Sequence, residues 1–280
     1  MGLFDAAESA MADLEGRVAA LEGETVEPPV EYVDSPALTL ASGQTIANKR
    51  IAGTQLIAIN TTSNASGQPT NDATVRNCLL DGQHYGLKVG DGPTSYRMLV
   101  DGLTVRNSRQ PLCLGYLRDS VFRNMDLQSV TGNEAFDHAI YLCHQCFDLT
   151  FEHLELESDG GWGLHLYGDS PSERLTFDDV FVDGKGTGRG IIILSGYKDI
   201  TISGLTMVNL VTDYPAVQFG DCENVVIENF DIAGGDSLVY AGGWAGIPVN
   251  VTLRNGIYRG AGPLIAGDPA GVTFENVVRV

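Results

Sequence analysis

The sequence predicts an all-β fold, a right-handed parallel β-helix solenoid of about ten coils behind a short N-terminal α-helical coiled coil. Three patterns carry this: a drifting repeat near 25 residues, period-two apolar alternation inside each repeat, and a separate heptad seam before residue 24. The repeat is set by an Asn, Gly, Asp or His that follows an apolar-x dipeptide. These markers are Gly53, Asn77, Gly102, Asn124, His153, Asp179, Gly204, Asn229, Asn255 and Asn276, spaced 21 to 29 residues apart. A varying spacing of this size belongs to a β-solenoid and not to a fixed-length helical repeat.

Two residues before the markers stand Ile51, Val75, Val100, Phe122, Phe151, Phe177, Ile202, Ile227, Leu253 and Phe274, an inward column. Apolar residues fall again one and three positions after the marker, as in Leu154 and Leu156 or Val180 and Val182, so the chain turns a corner into a second strand. A third strand follows at Gly86-Leu87-Lys88-Val89, Pro111-Leu112-Cys113-Leu114, Ala139-Ile140-Tyr141-Leu142, Gly163-Leu164-His165-Leu166, Gly190-Ile191-Ile192-Ile193 and Ala216-Val217-Gln218-Phe219. Stacked parallel strands bring like positions together about 4.8 Å apart. The corner asparagines Asn77, Asn124, Asn229, Asn255 and Asn276 suit tight backbone and amide ladders, a structural role. The column just before the corner, from Arg76, Asp101, Arg123 and Glu152 to Asp178, Ser203, Glu228, Arg254 and Glu275, is a solvated charged face.

Residues 1–23 are expected to form the coiled-coil oligomerisation or attachment helix, 24–37 a linker and 38–280 the β-helix. Phe4, Ala7, Met11, Leu14, Val18 and Leu21 repeat at 3, 4, 3, 4, 3, an a/d seam that needs a partner helix. Arg17 at g and Glu22 at the following e fit interchain ion pairs. So short a helix is marginal alone and orders on self-association or by docking on another protein, or packs on the end of the solenoid. Val18 at a with leucines at d leans toward a dimer. Pro28, Pro29 and Pro36 mark the linker.

A net charge of -19 opposes nucleic acid and anionic membranes as main partners. The first residues lack the basic n-region and apolar h-region of a signal peptide, and no stretch is long and apolar enough for membrane insertion. Five cysteines, an odd number without disulfide-framework spacing, fit reduced thiols in a protein made in a cytoplasm. Cys143-His144-Gln145-Cys146 invites a zinc reading, but no second ligand pair has comparable spacing and alternation sends neighbours to opposite faces. Neither a metal nor a cofactor is expected.

The third strand carries the candidate chemistry. Before its small residue lie Tyr85, Gln110, His138, Trp162 and Arg189; between its core residues lie Lys88, Cys113, Tyr141, His165, Ile192 and Gln218. His138, Tyr141, Trp162, His165, Tyr167 and Arg189 are expected to form an outward glycan-binding patch, with Glu134, Asp137, Asp159 and Asp169 on flanking loops. Rings stack on sugar C–H faces while carboxylates and amides meet hydroxyls. The 129–136 loop contributes to the longest spacing, 29, and solenoid insertions tend to carry function. Catalysis is the alternative. Hydrolysis needs two carboxyls, for which Asp137 with Asp159 or Asp169 would serve; a lyase needs a base such as His165 or Tyr141 with Arg189 or Lys88 as the charge-neutralising partner.

The phrases Asp137-His138-Ala139-Ile140-Tyr141-Leu142, Phe147-Asp148-Leu149-Thr150-Phe151-Glu152-His153 and Gly160-Gly161-Trp162-Gly163-Leu164-His165-Leu166-Tyr167-Gly168 resemble the right-handed β-helix repeat family of pectate-lyase-like enzymes and phage tailspikes. The resemblance spans residues 38–280 and specifies fold more than activity. The acidic calcium set and arginine of pectate lyases are missing, as is the D-P-H-E-like phrase of alginate epimerases, which disfavours both. With the coiled coil and no signal peptide, the resemblance implies a minor tail or tailspike protein of a bacteriophage virion, made in the host cytoplasm. It further implies a homotrimer that joins other phage tail proteins and binds host cell-surface polysaccharide in host recognition. A purely structural tail component is a third reading.

Overall fold

From Asn77 to Asn276 every marker residue stands in left-handed backbone, with φ from 49° at Asn77 to 72° at Gly102. Glycine and the short polar side chains of Asn and Asp adopt that geometry at the least cost, which is why the repeat is legible at this position. The computed structural model describes residues 30–130, 136–168, 170–242 and 246–280. The heptad residues Phe4, Ala7, Met11, Leu14, Val18 and Leu21 therefore lie outside the described residues, as do Glu134 and Asp169.

Residues 32–280 form one unit. Among the described residues 21 strands join in a single hydrogen-bonded sheet wound as a solenoid, and every pairing is parallel, each strand bonding to its counterpart one coil on. The inward column runs in register through Val75, Val100, Phe122, Phe151, Phe177, Ile202, Ile227, Leu253 and Phe274. At mid-solenoid its rings stack, Phe122 on Phe151 at 5.0 Å and Phe151 on Phe177 at 4.6 Å between centroids. The charged outer column is also in register, with ion pairs from Asp101 to Arg123 at 3.0 Å and from Glu228 to Arg254 at 2.6 Å.

The first coil departs from the expected register. Ile46, not Ile51, pairs with Val75, so Asn48 (φ 54°) is the marker below Asn77. Ile51 instead pairs with Leu80 in the second-strand column, and Gly53 lies beside Gly82. Both alternatives satisfy the apolar-x-marker rule and both isoleucines are buried, so the local pattern could not separate them.

A second left-handed column, not anticipated, sits five residues before the marker at Asp72, Arg97, Asp119, Asp148, Arg174, Asp199, Asn224 and Asn250. Arginine is unusual there. Its cost is offset by forked bonds to the coil below, Arg97 to Asp72 at 2.6 and 2.8 Å and Arg174 to Asp148 at 2.6 and 2.9 Å. The expected amide ladder at the marker column is only partial: Asn276 donates to Asn255 at 3.2 Å, but Asn124 reaches Asp101 and His153 meets Asp179. The small residue opening each third strand has a steric cause, since a Cβ on Gly163 would come within 2.6 Å of Val182 Cγ1 across the core.

Candidate functional site

The third strands stack into one outer column, Lys88, Cys113, Tyr141, His165, Ile192, Gln218 and Tyr240, each hydrogen-bonded in register with the next coil. Alternation turns these side chains away from the core because their neighbours, such as Leu112 with Leu114 and Ile140 with Leu142, fill it. Facing outward does not expose them all. His165 is 7% exposed, Trp162 5% and His138 1%. The expected open patch of six residues is instead a packed layer over the outer face of the solenoid.

Within that layer the rings of His138 and His165 lie 3.8 Å apart, Tyr141 sits 5.0 Å from His165, and Tyr167 meets His165 at 5.7 Å. The Trp162 backbone N–H donates to His138 Nδ1 at 3.2 Å, so that nitrogen is the unprotonated one. Trp162 packs with Ile192 and Leu194 in a small apolar cluster that Tyr167 borders. Arg189 lies over the Tyr214 ring at 3.5 Å and the Trp162 ring at 5.6 Å. Burial, with His138 beside it, drives the His165 imidazole well below its usual range.

The structure brings His138, Tyr141, Trp162, His165, Tyr167 and Arg189 together, and Tyr141 among them lines open space. That space is a cavity of about 420 Å³ one coil toward the N-terminus of the expected centre. Three successive coils build it: His84, Tyr85, Lys88 and Asp91; then Arg109, Gln110 and Cys113; then Phe136, Tyr141, Cys143 and His144. Phe136 is 64% exposed at its rim. Lys88 bonds Asp91 at 2.5 Å and lies 5.0 Å from the Tyr85 ring centre. Despite burial, the bond to Asp91 lifts the lysine above its ordinary range. His84 is held lower by burial and then by the Arg109 charge. Gln110 Nε2 donates to the Phe136 carbonyl, tying the rim to the strand.

Asp137, expected as a catalytic acid, is not in the cavity. Its carboxyl is fully buried, with Arg109 Nε at 3.0 Å from Oδ2 and Nη2 at 3.0 Å from Oδ1. Asp159, its proposed partner, accepts from Thr187 Oγ1 at 2.6 Å. His84, Asp91, Arg109 and Phe136 were not singled out by the sequence. Gly90-Asp91-Gly92 directly after a third strand was the available signal, since a carboxylate in a glycine turn at a strand end is well placed to meet a ligand. Among the described residues no helix is long and apolar enough to cross a membrane.

No family model matches the chain, and no curated protein sequence matches it. Solved structures do. The A-module of mannuronan C-5 epimerase AlgE6 from Azotobacter vinelandii is 12% identical at a TM-score of 0.50, over 89% of this chain and 88% of that one. The tailspike protein of E. coli bacteriophage HK620 in complex with pentasaccharide is 11% identical at 0.46, over 94% of this chain and 60% of the tailspike. The catalytic domain of a GH87 alpha-1,3-glucanase in complex with nigerose is 12% identical at 0.42, over 88% and 63%. At these identities the likeness is one of fold, the parallel β-helix.

Proposed function

We propose that this chain is a tail-associated bacteriophage protein that binds host cell-surface polysaccharide on the third-strand face of its β-helix, centred on the cavity between Tyr85 and Tyr141. The observation that carries this reading is the cavity lining. Tyr85, Phe136 and Tyr141 offer ring faces to sugar C–H groups, while Lys88, Asp91, Arg109 and Gln110 offer donors and acceptors to hydroxyls. A cavity of about 420 Å³ suits a small ligand or a few residues of a longer chain. In this reading His138, Trp162, His165 and Arg189 hold the wall behind Tyr141, and Tyr141 and Tyr167 remain the contact candidates of the expected patch.

Binding without turnover is favoured over hydrolysis because Asp91 is the one carboxylate among the described residues lining the cavity. Glycoside hydrolysis by paired carboxyls requires a second. His165 is buried and its basicity low, which favours a structural role over a lyase base. The test is equilibrium binding to a panel of bacterial envelope polysaccharides, with product release followed alongside. Wild type is expected to bind at least one polysaccharide without releasing reducing ends or unsaturated sugars, and Tyr85→Ala to weaken that binding at least tenfold. Unchanged binding by Tyr85→Ala rejects the site, and product release rejects the non-enzymatic reading.

The N-terminal heptads support self-association, and the resemblance to tailspikes supports a homotrimer with attachment to other tail proteins through the same segment. Light scattering of the full chain and of a chain lacking residues 1–23 tests this: the first is expected to be trimeric and the second monomeric with unchanged β-rich circular dichroism. Equal masses would reject it.

A further inference from the structure

Resting on the reading of the cavity as a polysaccharide site, we infer that its ligand is an uncharged glycan, one whose bound residues carry no carboxylate, phosphate, sulfate or amino group. The ground for this is that the cations and the carboxylate of the described lining are already paired within the protein. Its cations are Lys88 and Arg109, and its carboxylate is Asp91. Lys88 Nζ bonds Asp91 Oδ2 at 2.5 Å. Arg109 directs Nε and Nη2 at the carboxylate of Asp137 behind the wall, at 3.0 Å each. Asp137 is fully buried, where solvent screens its charge least, so it offsets the guanidinium from the protein side. The remaining guanidinium nitrogen fixes the histidine beside it. Arg109 Nη1 lies 3.4 Å from His84 Nδ1, and because a guanidinium only donates, His84 accepts at Nδ1 and carries its proton on Nε2. Burial and then the Arg109 charge hold this imidazole below its usual range, which keeps the ring a neutral donor.

An acidic sugar meets a cost at each of these groups. To reach Lys88 it must displace Asp91, whose carboxylate is half exposed and would then lie beside a like charge. At Arg109 two of the three nitrogens already face Asp137 and the third faces His84. The net charge of -19 repels an anion at longer range as well. A cationic sugar meets Lys88 and Arg109, and the lining carboxylate is held by Lys88. An uncharged sugar meets none of these costs. Its hydroxyls donate and accept, so they add to the Lys88–Asp91 pair without breaking it and accept from His84 Nε2, while its C–H faces lie on the rings of Tyr85 and Tyr141. Affinity built this way is insensitive to salt, because no new ion pair forms.

The full-length protein is titrated with neutral and uronate-containing bacterial envelope polysaccharides, each uronate polymer presented also in carboxyl-reduced form, which keeps the linkages and removes the charge. The tightest binder is expected to be neutral, every uronate polymer that binds should bind more tightly once reduced, and affinity for the tightest binder should change by no more than about threefold between roughly 0.05 and 0.5 M NaCl. Asp91 stands in left-handed backbone (φ 58°), which asparagine tolerates, so Asp91→Asn removes the charge and keeps the turn. With Lys88 then unpaired, this variant should bind the unreduced uronate forms at least about fivefold more tightly than wild type at low salt and lose that gain at high salt. A uronate polymer that wild type binds as tightly as its reduced form, or a larger salt dependence of the tightest binder, overturns the uncharged class while Tyr85→Ala still reports on the cavity. So does an Asp91→Asn protein of native circular dichroism whose preference is unchanged. Absence of binding to every polymer rejects the polysaccharide reading itself, and the uncharged class with it.

Discussion

Arg109 holds Asp137 by two bonds of 3.0 Å, and the carboxylate is fully buried while the guanidinium remains 39% exposed. A carboxylate so enclosed is a tie between two parts of the chain. Asp137 follows the loop that lengthens this coil, so the pair pins the loop's return to the strand that carries Gln110. Arg109→Ala should cost on the order of 2 kcal/mol, less than the roughly 3–5 kcal/mol of a fully buried pair because half of this one is hydrated. Urea unfolding checks it; a loss under about 0.5 kcal/mol would place the pair among ordinary surface contacts.

The stacked phenylalanines give a second prediction. Phe151 has a ring on each side, at 5.0 and 4.6 Å, whereas Phe122 and Phe177 each end the stack. Truncation of a buried Phe costs about 3–5 kcal/mol, and Phe151→Ala should stand at the upper end because two ring contacts go at once. Phe177→Asp should yield no soluble protein, since a charge in this column has no partner and each coil supports its neighbours. Denaturation midpoints and soluble yield decide both; a Phe151→Ala midpoint above that of Phe177→Ala would reject the ranking.

How far the sequence reached depended on whether a position is defined by steric need or by what covers it. Left-handed corners restrict residue choice, so Asn77 through Asn276 announced the coil. The same logic fails where arginine occupies the corner, as at Arg97 and Arg174, because the compensating aspartate sits a full coil away. Alternation correctly turned Trp162 and His165 outward, but whether an outward side chain meets water depends on neighbours such as Leu194 and Tyr167. The cavity was missed for that reason. His84, Asp91, Arg109 and Phe136 come from loops and strand ends of three coils, and no spacing rule links them.

The buried histidines predict a pH dependence. His165 is held well below the usual imidazole range by burial and by His138, and its Nδ1 has no hydrogen-bond partner among the described residues; His84 is lowered by burial and Arg109. The unfolded chain takes up these protons as pH falls through about 6.5, and the folded chain does not. Stability should therefore be full above that pH and fall below it, by up to about 1.4 kcal/mol per pH unit for His165 and by much less for the more exposed His84. His153 is raised by Asp179 and acts in the opposite sense, but both side chains are largely exposed and the effect is small. His165→Gln should flatten the decline between pH 6.5 and 5 in thermal melts; an equal slope in variant and wild type would reject this origin.

Tyr141 and Trp162 stand on neighbouring coils of one face, and their variants should separate binding from folding. Tyr141 is half-buried and lines the cavity, so Tyr141→Ala opens no void in the core and should leave most of the stability intact. If its ring stacks on sugar, polysaccharide affinity should drop by about 2 kcal/mol, roughly thirtyfold. Trp162 is only 5% exposed and packs with Ile192 and Leu194, so Trp162→Ala removes the centre of an apolar cluster and should cost about 3 kcal/mol of stability. Glu228→Ala, which breaks only the surface pair with Arg254, should change neither property by more than about 1 kcal/mol. Binding isotherms and urea midpoints on the three variants test the division of labour. The cavity is not the contact surface if Tyr141→Ala binds as wild type does, and the outer cluster is not structural if Trp162→Ala melts with wild type while losing affinity.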